Sequence, residues 1–127
     1  MWSPAGHHDE PILRHVRRAA PLLRSEETVG ETLARFRREG MGDGVAYLYV
    51  VDDRERLLGV VPARHLLAAA PEERMANLML PSVVSVPHTA TLLEACEYFV
   101  LHRFLAFPVI DDEGRLVGVL DAGVFTD

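Results

Sequence analysis

Val50-Val51-Asp52-Asp53-Arg54-Glu55-Arg56-Leu57-Leu58-Gly59-Val60-Val61-Pro62-Ala63 returns 59 residues later as Val109-Ile110-Asp111-Asp112-Glu113-Gly114-Arg115-Leu116-Val117-Gly118-Val119-Leu120-Asp121-Ala122. Eight of the fourteen positions are identical, and three of the other six exchange one aliphatic residue for another. Self-similarity at a fixed period marks a structural unit used twice. Each copy reads as an apolar run, an acidic turn and a second apolar run, the pattern of a β-hairpin.

The sequence around the two hairpins repeats as well. Upstream stand Thr28-Val29-Gly30-Glu31 and Thr91-Leu92-Leu93-Glu94. In each, a threonine hydroxyl can take an orphan helix N–H while the glutamate three residues on reaches back to the cap. Val29, Leu33 and Phe36 give the first helix an apolar stripe, and Leu92, Ala95, Cys96 and Phe99 give the second. Cys96 on that stripe reads as a small buried hydrophobe. Leu22-Leu23 and Val83 to Val86 read as extended pieces before the helices. Gly40, Gly42 and Gly44 end the first helix. They hold the four residues by which Thr28 to Asp52 is longer than Thr91 to Asp111. Gly114 suits a left-handed turn position. After the hairpins, Pro62 opens a helix through Leu66, Leu67 and Ala70, Met75 to Met79 forms another turn, and Asp121 is placed to cap a last short helix. Ile12, Leu13 and Val16 have helical spacing, which predicts a short helix from Pro11 to Ala19.

Each half is therefore strand, helix, hairpin, helix. A three-stranded sheet cannot bury both faces by itself, so two such units sharing a core are expected. The fold class is α+β, two repeats related by a pseudo-twofold axis. The expected boundaries are a flexible tail over 1–10, a first repeat over 11–79 and a second over 80–127.

Composition narrows the function classes. Of the 127 residues 49% are hydrophobic and 25% charged, as in a soluble globular protein. No apolar run reaches the ~20 residues of a membrane span, so no direct membrane insertion is expected. Met1 to Glu10 lacks the basic and apolar regions of a signal peptide. A single cysteine excludes an internal disulfide and suits a reducing, cytoplasmic setting. The net charge of −6 argues against nucleic acid as partner. Arg14, Arg17, Arg18 and Arg24 read as a solvated helix face.

The paired Thr-x-x-Glu motifs, together with Pro108-Val109-Ile110-Asp111-Asp112-Glu113-Gly114-Arg115-Leu116-Val117-Gly118, resemble a tandem pair of CBS domains, a Bateman module. Thr28 to Leu33 followed by Tyr47-Leu48-Tyr49-Val50-Val51-Asp52 most resembles the cytoplasmic CBS pair of MgtE-type magnesium transporters. The resemblance covers residues ~20–127. It implies a non-catalytic sensory or regulatory module. Such pairs bind adenine nucleotides or S-adenosylmethionine in the cleft between the halves, assemble as homodimers and act on a transporter or enzyme partner. In the transporter group, acidic residues also answer to Mg2+.

In that family the nucleotide signature after the last strand runs glycine, two apolar residues, Ser or Thr, two residues, then Asp. This chain departs from it twice. After Gly59 the hydroxyl and aspartate positions hold Pro62 and His65; after Gly118 they hold Asp121 and Val124. Pro62 removes a hydroxyl and an N–H donor, and Asp121 repels phosphate at short range. The candidate ligand residues are Tyr47, Tyr49, Pro62, Arg64 and His65 in the first half. In the second they are Val84, Phe107, Pro108, Asp121 and Val124, suited to a neutral adenosine-like ligand. Against these stands the reading of Pro62 as a helix start and Asp121 as a cap. Asp52, Asp53, Asp111 and Asp112, with Glu113 beside them, are candidates for Mg2+, which takes oxygen ligands; Asp is equally a favoured turn residue.

His7, His8, His15, His65, His88 and His102 show no metal-ligand spacing. Gly40-Met41-Gly42-Asp43-Gly44 lacks the lysine of a phosphate-binding loop. No enzyme signature and no required cofactor are found. Three readings stand: an adenosine-type sensor with a non-standard site, a ligand-free dimerisation scaffold, and a magnesium-responsive segment of an ion-transport system.

Overall fold

The computed structural model describes residues 9–17, 21–41 and 46–125. It divides into two compact units.

The first unit runs from Pro21 to Val83. Its order is β1 (Leu22–Arg24), α1 (Val29–Glu39), β2 (Tyr47–Val51), β3 (Leu57–Pro62), α2 (Ala63–Ala68) and α3 (Met75–Leu78). The sheet order is β1-β2-β3, with β1 parallel and β3 antiparallel to β2. Both halves of the capping box at Thr28 are present: its hydroxyl accepts from Glu31 N at 3.1 Å, and Glu31 Oε1 accepts from Thr28 N at 2.8 Å. Leu23, Val29, Leu48, Val50, Val61, Leu66 and Met75 form the core. Thr32 is buried among them, its hydroxyl donating to Glu27 Oε2 at 2.7 Å. Gly40 ends α1 with φ +81°, a conformation that suits glycine.

The second unit joins Val84 to Phe125 with residues 9–17. Its order is β4 (Val86–Pro87), α4 (Leu92–His102), β5 (Ala106–Ile110), β6 (Leu116–Asp121) and a 3-10 turn (Ala122–Phe125). The sheet order β4-β5-β6 copies the first, with a register shift at the matching place, Val109/Ile110 against Val50/Val51. Thr91 and Glu94 complete the second capping box. Ile12, Val86, Ala90, Leu92, Ala95, Phe107, Val109 and Leu120 form the core. Phe107 meets Phe99 and Tyr98 edge-on, with ring centroids 4.7 and 5.8 Å away.

The start of the chain differs from expectation. The predicted helix over 11–19 is a single 3-10 turn, Ile12–Arg14, and residues 18–20 lie outside the described set. Beyond the turn the backbone extends, because it is taken up by the outer edge of β6: Arg17 N donates to Val119 O at 2.8 Å and Val119 N to Arg17 O at 2.9 Å. Pairing an exposed edge satisfies backbone groups that a longer helix would leave facing solvent. The expected boundary at residue 11 is thereby corrected, since Pro11 to Arg17 packs with the second repeat and not the first. Of the expected tail, residues 1–8 lie outside the described set, while the Glu10 carbonyl accepts from Leu92 N at 2.8 Å.

The first repeat has its own version of this segment. Arg74 bridges Thr28 and Leu80 pairs with Val60, as Pro11 bridges Thr91 and Arg17 pairs with Val119. Met75 and Ile12, both fully buried, occupy corresponding places.

Candidate functional site

The hairpins set the candidate residues in two groups, one per repeat. In the first repeat, antiparallel pairing puts Tyr47 directly opposite Pro62 and Tyr49 opposite Val60. Pro62 ends β3 and is the N-cap of α2, which its fixed φ near −60° suits. Ala63 N donates to Ala46 O at 2.9 Å, closing the strand end. Arg64 is exposed and His65 half-buried in the first turn of α2; Tyr47 is half-buried and Tyr49 buried. Cross-strand pairing thus brings Tyr47 to the buried Pro62, two residues before Arg64, the exposed cation, and three before His65.

In the second repeat Asp121 lies opposite Ala106, Leu120 opposite Phe107 and Val119 opposite Pro108. Val84 and Val124 pack against the core cluster, and Phe107 is itself a core residue, fully buried. Phe107, expected to line a pocket, instead holds the aromatic cluster together. Asp121 was expected to cap the last helix. Its carboxylate instead accepts both branches of one guanidinium: Arg17 Nε at 2.8 Å and Arg17 Nη2 at 3.1 Å. A bidentate pair of this kind is the strong form of an ion pair. It also cancels the charge that would repel a phosphate.

Arg17 is the functional candidate that sequence reasoning missed. Pro11 to Arg17 and Arg74 to Leu80 occupy matching places but share no identical residue in register, so no repeat signal marked the segment.

The acidic candidates are engaged by their own turns. Asp52 Oδ1 accepts from Arg54 N and Arg56 N, both at 2.9 Å, and Oδ2 accepts from Arg56 Nε at 2.8 Å. Asp111 repeats this with Glu113 N, Arg115 N and Arg115 Nε, each at 2.9 Å. The backbone N–H groups of Arg56 and Arg115 are the leading cause that holds these two carboxyls below their ordinary pKa. Asp53 is exposed, and Asp112 lies 3.3 Å from His88 Nε2. Among the described residues no group of three or more His, Cys, Asp or Glu side chains could hold a metal ion.

The outer side of α4 is unlike that of α1. Leu93, Val100 and Leu101 are exposed there, the last two at 72% and 77%. Cys96, expected in the core, is half-buried on this outer side, in a shallow groove with Leu93, Glu97, Val100 and Leu101. The helical phase explains the correction: Leu92, Ala95 and Phe99 already fill the inward face, and Cys96 falls one step beyond it. At the matching positions α1 carries Gly30, Leu33, Ala34, Arg37 and Arg38.

A model of the CBS domain matches residues 13–72 and again 75–123. The magnesium transporter MgtE of Thermus thermophilus is 40% identical over 100 residues, 77% of this chain and 22% of that protein. An inosine-5'-monophosphate dehydrogenase of Methanocaldococcus jannaschii is 26% identical over 113 residues, 88% of this chain and 21% of that protein. The chain thus spans about a fifth of the length of these curated relatives. Among solved structures, the cytosolic domain of the Mg2+ channel MgtE in complex with ATP superposes with a TM-score of 0.83 at 32% identity, over 94% of this chain and 48% of that one. The cystathionine beta-synthase pair domain of a Mg2+ transporter from Shewanella oneidensis gives 0.79 at 27% identity, over 97% and 71%.

Proposed function

Since this chain belongs to the CBS domain family, as a tandem pair, we propose that it is a non-catalytic regulatory module of the cytoplasm that senses an adenosine-type ligand. The observation that carries this reading is the likeness of 94% of the chain to a MgtE cytosolic domain in complex with ATP. The strand ends support it locally. In the first repeat Tyr47 and Pro62 face each other, with the Arg64 cation and the His65 ring just beyond. Tyr47 supplies a ring for a base, and Arg64 a charge for phosphate. In the second repeat Val84, Pro108, Asp121 and Val124 remain the candidates. The mechanism is population shift: a ligand with higher affinity for one conformation raises its share, and a partner reads the change.

The assembly we propose is a homodimer joined through the outer side of α4. Leu93, Val100 and Leu101 form an apolar strip there, while the same side of α1 carries Arg37 and Arg38. Exposed apolar patches of this kind mark interaction surfaces.

The test is thermal stability of the whole chain with ATP, ADP, AMP, S-adenosylmethionine, adenosine and Mg2+. A ligand at ~100 times its Kd stabilises by about 2.7 kcal/mol, a shift of several degrees for a domain of this size. A shift with an adenosine compound, reduced in Arg64→Ala and His65→Ala, supports the sensor. Indifference to all six compounds overturns it and leaves a dimerisation scaffold. The 40% identity to a magnesium transporter favours a second reading, a magnesium-responsive segment of an ion-transport system. A shift with Mg2+ alone selects that one.

A further inference from the structure

The ion pair between Arg17 and Asp121 joins residues far apart in sequence, and it belongs to the second repeat alone. The positions that match Arg17 and Asp121 in the first repeat are Leu80 and Pro62, which cannot form one. Both segments lie along the outer edge of a last strand, and both need a glycine beneath them. A Cβ at Gly59 would come within 2.8 Å of Met79 Sδ and 3.0 Å of Leu80 O. A Cβ at Gly118 would collide with Val16 Cγ1 and lie 2.7 Å from Arg17 O.

The two segments differ in how they are tied. Residues 74–80 follow the α2 helix of their own repeat after a link of five residues. Residues 9–17 belong to the second unit although the chain continues from residue 19 into the first. They are held by the Ile12 side chain in the core, by backbone bonds to Ala90, Leu92 and Val119, and by the Arg17–Asp121 pair. Opening such a segment breaks these contacts and the packing of Val16 on the core, and can leave the β4-β5-β6 sheet intact.

We infer that residues 9–17 are a releasable strap, locked by the Arg17–Asp121 ion pair, that covers the β6 edge and occupies both oxygens of Asp121 while docked. The second repeat thus has a docked and a released state, and both oxygens of Asp121 are freed of Arg17 in the released one. The first repeat has no such device. This inference does not depend on the ligand proposed above, and its test uses none.

The experiment is amide hydrogen exchange, read residue by residue, on the whole chain and on three variants: Gly118→Ala, Arg17→Asp, and Arg17→Asp combined with Asp121→Arg. Gly118→Ala pushes the strap off sterically; Arg17→Asp removes the lock and sets two carboxylates together. Both should speed exchange at Ile12, Leu92 and Val119 by about tenfold or more, a local opening. The paired amides Val60 and Leu80 in the first repeat, and the Val109–Gly118 ladder, should keep their rates. The charge-swapped double variant should return the rates to within about twofold of the original, because the pair is restored in reverse. Unchanged rates in the first two variants, an equal increase at Val60 and Leu80, or a swap that restores nothing would each overturn the strap or its lock.

Discussion

Asp52 and Asp111 act as turn-closers, each through the same set of contacts. One oxygen takes two backbone N–H groups and the other an arginine Nε, so the carboxylate is already surrounded by donors. Their pKa values are held down in the folded chain. A depressed folded pKa contributes stability that is complete above the ordinary value of 3.8 and is lost as pH falls through the folded one. Asp111→Asn should therefore lower Tm most at pH 7, with the difference from the original protein closing as pH falls below about 4; thermal melts between pH 7 and 3 read this. The same turns contain a second contrast. Gly114 has φ +81° and its counterpart Glu55 φ +63°. Left-handed backbone costs a non-glycine residue about 1–2 kcal/mol, and the extra freedom of an unfolded glycine offsets about 0.4–1 of it. Glu55→Gly should thus stabilise slightly and Gly114→Ala destabilise by about 1 kcal/mol, in denaturant unfolding. The Asp turn was legible in sequence, because Asp at a turn has a local mechanism. The partner of Asp121 was not, because Arg17 sits 104 residues away.

The helices α1 and α4 show how one fold position serves two surfaces. Both begin with the same reciprocal cap and both turn an apolar stripe inward. Their outer sides diverge, arginines on one and leucine and valine on the other. Replacing Val100 and Leu101 by arginine makes α4 resemble α1 at the matching places. The double variant should run as a monomer in gel filtration if α4 is the dimer seam, with Tm of the isolated fold changed little, since exposed substitutions usually lie within about 0.5 kcal/mol. A dimer that survives both arginines removes α4 from the interface. The inward stripe was legible from 3.6-residue spacing; the misplacement of Cys96 shows its limit, because a stripe wide enough to include it also touches the outer groove. The strand edges were not legible at all. Whether Val16 and Arg17 continue a helix or lie along β6 depends on an edge that forms a hundred residues later.

The molecule carries the same three-stranded unit twice, each with its own core. Phe107 anchors the second through Tyr98, Phe99, His102 and Phe104. Phe107→Ala should cost about 3–5 kcal/mol, and the loss should be read first as faster amide exchange in residues 84–125. The hairpins, the two capping boxes and the starts of α1 and α4 follow from sequence alone, as do the α+β class and the repeat. Each rests on contacts between residues a few positions apart, where spacing and side-chain chemistry determine geometry. Tertiary structure decided the rest. It placed Pro11 to Arg17 in the second repeat, paired Arg17 with Asp121, put Phe107 in the core and left α4 apolar outside. These outcomes depend on which distant backbone edge and which distant charge need a partner, and no local pattern carries that information.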